Sequence, residues 1–173
     1  ARPGVSIVVH PGTYRESIDS LYKSIHLVGV DPNNPDGGPC AVIEGAGTGP
    51  AVRFHGADSS SSLTGFVITG GDGDGYGIGL GHFIHAMRRN LDLTYVVMNN
   101  QIYGLTTGQA SPTTTRGHRT KSTPRGNVEL PVNPIALALV SGATYVARGF
   151  SGEPGHLADL IAGGIQHPGF ALI

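Results

Sequence analysis

Residues 71–79 read Gly-Asp-Gly-Asp-Gly-Tyr-Gly-Ile-Gly and mark the point at which the pattern of the sequence changes. Upstream, short β-branched runs such as residues 5–9 and 25–28 alternate with Gly, Pro and Asn, which is typical of an all-β segment. Downstream, strand-like runs are separated by helical patterns, which predicts α/β structure with a parallel sheet and crossover connections. The sequence therefore predicts two domains, residues 1–70 and residues 71–173.

The composition argues against several classes of protein. The 173 residues carry 11 Lys+Arg and 12 Asp+Glu, a net charge of −1, so neither a nucleic-acid-binding protein nor a polybasic membrane-binding module is expected. Hydrophobic residues make up 39% and charged residues 13%, which is not the profile of a disordered chain. The 28 Gly and 12 Pro follow no collagen-like period, so they predict turns and close backbone approaches.

The single cysteine and the start of the sequence add further expectations. Cys40 can form no disulfide within the chain and cannot by itself hold a four-cysteine iron–sulfur cluster. The longest apolar run, residues 135–140, is too short to cross a bilayer, so no membrane association is expected. The sequence begins at Ala1 without a visible signal peptide. We therefore expect a cytoplasmic protein, and a fragment or a partial gene model.

The apolar spacing downstream of Gly70 predicts alternating helices and strands. A helix is predicted over residues 78–90, with four apolar side chains on one face, and a buried strand over residues 91–98. The four side chains are Ile78, Phe83, Ile84 and Met87. The further predicted elements are a helix over 134–141, a strand over 144–147, a helix over 153–166 and a strand over 170–173, after a Gly/Thr/Pro-rich stretch at 103–133.

Several specific phrases follow Gly70. After residues 71–79 come Asn-Asn-Gln-Ile-Tyr-Gly-Leu-Thr at 99–106 and Gly-Gln-Ala-Ser-Pro-Thr-Thr at 108–114. Together they resemble the β subunit of 2-oxoacid:ferredoxin oxidoreductases, which binds thiamine diphosphate. The resemblance runs over residues 71–173 and implies a Rossmann-like fold and the oxidative decarboxylation of a 2-oxoacid such as 2-oxoglutarate or pyruvate. It also implies an α subunit, ferredoxin and coenzyme A as partners.

The spacing of two oxygen-bearing side chains predicts a magnesium site. A diphosphate needs a divalent cation to offset its charge, and Mg²⁺ prefers oxygen ligands. Asp72 follows one predicted strand and Asn100 follows the next, with a crossover helix between them, so both emerge at the carboxyl edge of the sheet. By resemblance, the backbone carbonyl of Ile102 is the third protein ligand.

The resemblance also implies the residues that contact the cofactor, and it marks what this chain lacks. The cysteines of the family's [4Fe–4S] cluster are absent, and no residue is assigned a catalytic role. Thr107 and Leu80-Gly81 depart from the family's pattern. The implied cofactor-binding residues are Gly71, Gly73, Asp74, Gly104, Leu105 and Thr106, with the glycines allowing backbone amides to approach phosphate.

The upstream half has a different resemblance. Residues 7–16, 23–29, 41–45 and 63–70 resemble the first coils of right-handed parallel β-helix proteins of the pectin-lyase-like superfamily. Each coil of such a fold buries its inward side chains only by stacking on the next coil. This half predicts no assignable catalytic residues. The carboxylates of Glu16, Asp19 and Asp31 could contact carbohydrate, but solvated turn charges are the interpretation we favour. The alternative function is therefore a noncatalytic or carbohydrate-binding β-helix module, and the whole chain would be a composite joined near Gly70.

Three other patterns have competing interpretations. Asp72-Gly-Asp74 could begin a calcium loop, but the twelfth position of that loop is Phe83, where a bidentate Glu is required. His82 and His85 have the spacing of metal ligands on a helix, yet helix packing or a polar contact with the cofactor is the interpretation we favour. The basic loop is either solvated or a contact for a partner subunit or an anionic acyl carrier. Its cations are Arg116, Arg119, Lys121 and Arg125.

Overall fold

The computed structural model describes residues 66–173 in full and, upstream of them, the backbone of seven short strands between Val5 and Thr64. The upstream strands are β1 (Val5–Val9), β2 (Gly12–Arg15), β3 (Ile18–Asp19), β4 (Ile25–Gly29), β5 (Ala41–Glu44), β6 (Val52–Arg53) and β7 (Ser62–Thr64). They pair in parallel as β1–β4–β7, β2–β5 and β3–β6. The side chains of Glu16, Asp19, Asp31 and Cys40 lie outside the described residues.

The downstream part is built on a four-stranded parallel sheet of β8 (Phe66–Gly71), β9 (Leu93–Met98), β12 (Tyr145–Val146) and β13 (Phe170–Leu172), in the order β12-β13-β9-β8. Two short strands, β10 (Ile102–Tyr103) and β11 (Gln109–Ala110), pair separately as an antiparallel hairpin. The expected α/β architecture is therefore confirmed for this part of the chain. Its elements are β8 (Phe66–Gly71), a π-helical segment (Asp74–Ile78), α1 (Leu80–Arg88), β9 (Leu93–Met98), β10 (Ile102–Tyr103), β11 (Gln109–Ala110), α2 (Pro134–Val140), β12 (Tyr145–Val146), α3 (Pro154–Gln166) and β13 (Phe170–Leu172).

The first strand of this sheet begins earlier than the sequence predicts. Residues 63–70 resemble the end of a β-helix coil, but residues 62–64 form β7 and residues 66–71 form a separate strand, β8. Strand β8 pairs in parallel with β9 from Phe66 opposite Leu93 to Gly71 opposite Met98. The α/β sheet therefore starts at Phe66, because the pairing partner of this strand lies downstream.

The crossover between β8 and β9 contains a π-helical turn that the sequence did not predict. The Gly79 N–H donates to the Asp74 carbonyl at 2.7 Å, five residues back. A Cβ at Gly79 would lie 2.5 Å from that same oxygen, so a glycine is required here. The helix therefore begins at Leu80 rather than at Ile78.

The π-helical turn also changes which side chains face the core. Ile78, which the sequence assigned to the apolar face, is 87% exposed, because the extra residue of the turn rotates it away. Phe83 and Met87 are buried as expected. The Phe83 ring packs edge-on against Tyr76 at a centroid distance of 5.4 Å and against Phe170 at 6.1 Å. This aromatic cluster fixes α1 on the sheet.

The other predicted helices and strands agree with the structure within one or two residues, whereas the short hairpin strands β10 and β11 were not predicted. Helix α2 begins after Asn133, whose side-chain oxygen accepts from the Ala136 N–H at 3.1 Å. Helix α3 packs against β9 and β13, with Gly164 buried at the contact. No helix among the described residues has the length and apolarity needed to cross a membrane.

A pair of leucine substitutions on α3 tests this packing. A Cβ at Gly164 would lie 2.7 Å from Ile173 Cδ1 and 3.2 Å from Thr94 Cγ2, whereas a Cβ at the exposed Gly155 meets nothing within 4 Å. We expect Gly164→Leu to lower the free energy of unfolding by about 1–3 kcal/mol through overpacking. We expect Gly155→Leu to change it by less than about 1 kcal/mol. Urea unfolding followed by circular dichroism measures both, and equal effects would contradict the packing of α3 on the sheet.

Candidate functional site

The candidate site lies at the carboxyl edge of the sheet, where β8 and β9 end. Gly71 is opposite Met98 in the parallel pair, so Asp72 and Asn99 leave the sheet side by side. Asp72 is only 1% exposed. The structure therefore places Asp72 and the Asn99-Asn100 pair at one edge, as the order of the strands predicts.

The buried Thr113 joins these two strand ends. Its hydroxyl is 2.6 Å from Asp72 Oδ2 and 2.8 Å from Asn99 Oδ1. Because a hydroxyl carries a single hydrogen, Asp72 and Asn99 compete for it, and the charged carboxylate is the stronger acceptor. From the sequence, Asn99 and Thr113 had no role beyond their place in the phrases at 99–106 and 108–114. The contact between Thr113 and Asp72 could not be foreseen, since the two residues are 41 positions apart along the chain.

Asn100 and Ile102 lie in one tight turn after β9. The side-chain oxygen Oδ1 of Asn100 accepts from the Ile102 N–H at 3.0 Å, and the residue between them, Gln101, has a φ of 62°. The Thr114 hydroxyl donates to the Gln101 carbonyl at 2.6 Å. Two of the predicted ligands thus belong to a single turn, and a neighbouring threonine holds that turn.

Tyrosine rings fill the space beside the glycines of residues 71–79. The Tyr103 hydroxyl donates to the Gly73 carbonyl at 3.2 Å, and a Cβ at Gly73 or at Gly77 would overlap the Tyr103 side chain. A Cβ at Gly75 would lie 2.6 Å from the hydroxyl oxygen of Tyr95. The structure therefore gives Gly73 and Gly75 a packing role that the sequence did not reveal. Gly71 is more open, because its nearest neighbour would be Asp74 Oδ2 at 3.8 Å.

The phenols near Asp72 stay protonated at neutral pH. Burial raises the pKa of the Tyr76 phenol above its ordinary value, and repulsion from Tyr95 (when ionised) and from Asp72 raises it further. Burial also raises the pKa of Tyr95, with a smaller contribution from Asp74. Neither phenol therefore brings a second negative charge to this edge of the sheet.

The other predicted cofactor contacts have exposed side chains or backbone. Asp74 is exposed in the first turn of the π-helical segment. Gly104, Leu105 and Thr106 form the exposed turn between β10 and β11, and the Leu105 side chain is 93% exposed. The Thr106 hydroxyl donates to Gln109 Oε1 at 2.5 Å, which closes this turn.

The family of the chain is decided by comparison with known proteins. The model of the family described as "Thiamine pyrophosphate enzyme, C-terminal TPP binding domain" matches residues 45–173. The chain belongs to this family. The match begins upstream of Phe66, so the similarity of this thiamine pyrophosphate enzyme domain to its family extends beyond the described α/β sheet.

The individual relatives carry more specific names. The 2-oxoacid:ferredoxin oxidoreductase subunit beta of Saccharolobus solfataricus is 54% identical over 107 residues, which are 62% of this chain and 35% of that protein. The 2-oxoglutarate synthase subunit KorB of Methanothermobacter thermautotrophicus is 34% identical over an alignment of 174 positions, which covers 90% of this chain and 59% of that protein. The chain thus spans 35–59% of the length of these two relatives.

A solved structure has a similar fold. The 2-oxoglutarate:ferredoxin oxidoreductase from Magnetococcus marinus, solved with 2-oxoglutarate, coenzyme A and succinyl-CoA bound, matches with a TM-score of 0.61 and 48% identity. The match covers 65% of this chain and 38% of that one. Similarity in both fold and sequence therefore supports a thiamine pyrophosphate enzyme domain with a parallel α/β sheet.

The geometry around Asp72 fits a divalent cation. A buried carboxylate is costly unless a cation or several hydrogen bonds compensate it, and the hydrogen-bond partner of Asp72 within residues 66–173 is the neutral Thr113 hydroxyl. Carboxylate and carbonyl oxygens suit hard divalent cations such as Mg²⁺ or Ca²⁺. Within residues 66–173 no group of three or more His, Cys, Asp or Glu side chains could hold a metal, and His82 and His85 are exposed on α1.

The basic loop packs on the β10–β11 hairpin of this domain. The Lys121 N–H donates to the Gly108 carbonyl at 2.8 Å, and its ammonium donates to the Thr107 hydroxyl at 2.6 Å. Arg116, Arg119 and Arg125 are exposed. The sequence predicted the cluster of charges, and the structure adds that Lys121 reaches the hairpin that carries Gly104–Thr106.

Alanine substitutions at two glycines test the packing of Tyr103. We expect Gly73→Ala to lower the free energy of unfolding by about 1–3 kcal/mol, because its Cβ would displace the Tyr103 ring. Gly81, exposed in α1 with nothing within 4 Å of an added Cβ, is the control, and Gly81→Ala is expected to be neutral or stabilising. In chemical unfolding, the double variant Gly73→Ala/Tyr103→Ala should lose less free energy of unfolding than the sum of the losses in the two single variants. Strict additivity would contradict the contact.

Proposed function

We propose that this chain is the thiamine-diphosphate- and Mg²⁺-binding part of a 2-oxoacid:ferredoxin oxidoreductase β subunit. The observation that carries the proposal is the buried Asp72 at the carboxyl end of β8, beside the end of β9. The family model and the names of the relatives support the same conclusion. We propose no catalytic residue within this chain.

The proposed metal ligands are Asp72, the side-chain oxygen of Asn100 and the backbone carbonyl of Ile102. Their support is local: Asp72 is buried beside the start of the turn that carries the other two. The Asn100 oxygen accepts one hydrogen bond from the Ile102 N–H, and an amide oxygen has a second lone pair for a cation.

The proposed contacts with the cofactor are backbone and small side-chain groups that surround the metal ligands. Gly71, the most open of the glycines near Asp72, would let the backbone approach the diphosphate closely. Bound thiamine diphosphate would supply carbanion stabilisation during decarboxylation. The other proposed contacts are Gly73, Asp74, Gly104, Leu105 and Thr106.

The proposed substrate and partners follow from the relatives. Their names give a 2-oxoacid or 2-oxoglutarate as substrate and ferredoxin as electron acceptor, and a subunit called beta implies an α subunit. The solved relative contains coenzyme A and succinyl-CoA. We therefore propose a 2-oxoacid, coenzyme A, ferredoxin and an α subunit as partners of the complete enzyme. A [4Fe–4S] cluster would have to be held by cysteines that this chain lacks, since Cys40 is its single cysteine.

We further propose that the upstream strands form stacked parallel β coils that precede the cofactor-binding domain. Their support is the parallel pairing, in which β1, β4 and β7 follow one another in one sheet, while β2 pairs with β5 and β3 pairs with β6. Three such stacks, visited in the same order along the chain, are typical of coils in a solenoid.

Calorimetry with thiamine diphosphate and Mg²⁺ tests the proposed site. We expect the chain to bind the cofactor only when Mg²⁺ is present, and we expect Asp72→Ala to abolish that binding because it removes a negatively charged ligand. His85→Ala is the control, because His85 is exposed on α1 and has no proposed contact with the metal. Equal losses in two folded variants would show that the ligand assignment is wrong.

The chain alone is expected to show no 2-oxoacid oxidoreductase turnover. Electrons leaving the cofactor need an acceptor close by, and a four-cysteine cluster cannot be built from Cys40 alone. The measurement is reduction of ferredoxin or of a viologen dye with pyruvate or 2-oxoglutarate, against a control without protein. Reduction above that control would contradict the expectation.

A further inference from the structure

We propose that Thr113 and Thr114 are positioning residues that hold the two ligand-bearing loops of the metal site in place. This inference rests on the proposed function, because Asp72, Asn100 and Ile102 are its metal ligands. The pair Thr113 and Thr114 is called the threonine clamp below. Both residues are buried, and each hydroxyl reaches a different loop.

Thr113 acts on the loop after β8. Its hydroxyl lies 2.6 Å from Asp72 Oδ2, a short distance for a hydrogen bond to a carboxylate. The same hydroxyl lies 2.8 Å from Asn99 Oδ1, so Thr113 lies between the end of β8 and the end of β9, and Asn99 is the competing acceptor for its single hydrogen. A carboxylate held in one rotamer loses less conformational entropy when it binds a cation, and therefore binds it more tightly.

Thr114 acts on the turn after β9. Its hydroxyl donates to the carbonyl of Gln101 at 2.6 Å and accepts from the Ser111 N–H at 2.8 Å, so it acts both as a donor and as an acceptor. Gln101 has a φ of 62°, which costs free energy for a residue other than glycine. Because Gln101 lies between Asn100 and Ile102, the hydrogen bond from Thr114 fixes the turn that presents both of these ligands.

The threonine clamp is itself held from the opposite side. The Asn127 amide donates to the Thr114 carbonyl at 2.9 Å, and the Val132 N–H donates to the Pro112 carbonyl at 2.8 Å. Ser111 is buried, and its hydroxyl lies 3.2 Å from that of Thr114. The clamp is therefore a rigid support for the two ligand loops, because further hydrogen bonds to the segment after it keep it in place.

The test is calorimetric titration of the full chain with Mg²⁺ at saturating thiamine diphosphate, using three valine variants. Thr113→Val and Thr114→Val remove one clamp hydroxyl each and keep the side-chain shape. Thr115→Val is the matched control. Thr115 is exposed, and its hydroxyl forms no hydrogen bond with another residue of the range 66–173. We expect the Mg²⁺ concentration at half-saturation to rise about 10- to 100-fold in each clamp variant, and to stay unchanged in the control.

Two further readouts separate positioning from a loss of folding. Thr113→Ser and Thr114→Ser keep the hydroxyl and should restore most of the Mg²⁺ affinity. A structural defect would lower the binding stoichiometry, whereas loss of positioning should change the affinity at constant stoichiometry. If a valine variant does not fold, the corresponding serine variant carries the test. We then expect the serine variant to bind Mg²⁺ as tightly as the unsubstituted chain does. Weaker binding by the serine variant would overturn the inference.

The outcomes distinguish this inference from the proposed function. If the unsubstituted chain binds Mg²⁺ with the cofactor and both clamp variants bind as the Thr115→Val control does, the clamp is wrong and the proposed function stands. If the unsubstituted chain shows no Mg²⁺-dependent binding, the proposed function is wrong, and the clamp is wrong with it.

Discussion

The parallel pairing of β8 with β9 is the constraint on which the rest of the site depends. With Gly71 opposite Met98, the two residues that follow, Asp72 and Asn99, leave the sheet side by side. A parallel pair needs a crossover, and the π-helical segment and α1 supply it while burying Phe83 and Met87 against the sheet. The same connection that covers the core therefore also returns the chain to the edge where Asp72 lies.

The glycines near Asp72 leave room for two tyrosine side chains. Tyr95 occupies the space beside Gly70 and Gly75, and Tyr103 occupies the space beside Gly73. A side chain at any of these glycines would displace an aromatic ring, so the tyrosines and the glycines constrain each other. The pattern of residues 71–79 thus has a structural cause that is independent of the proposed phosphate binding.

Strongly periodic segments were predictable, and segments with a local irregularity were not. Strands β9 and β13 and helices α2 and α3 follow from apolar runs and from Pro and Asn at their ends. The exposure of Ile78 did not follow, because a single π-helical turn shifts the face of the helix without changing the apolar pattern. The start of the sheet at Phe66 was missed as well, since residues 63–70 read equally well as a β-helix coil.

The sequence by itself determined that Asp72 and Asn100 leave the same edge of the sheet, because they follow successive strands whose carboxyl ends must meet. Only the tertiary structure decided what surrounds these residues. Thr113 reaches Asp72 across 41 residues of chain, and the side-chain oxygen of Asn90 accepts from the Phe170 N–H across 80. Such contacts have no periodicity and no fixed spacing, so they exist only after the sheet has brought distant segments together.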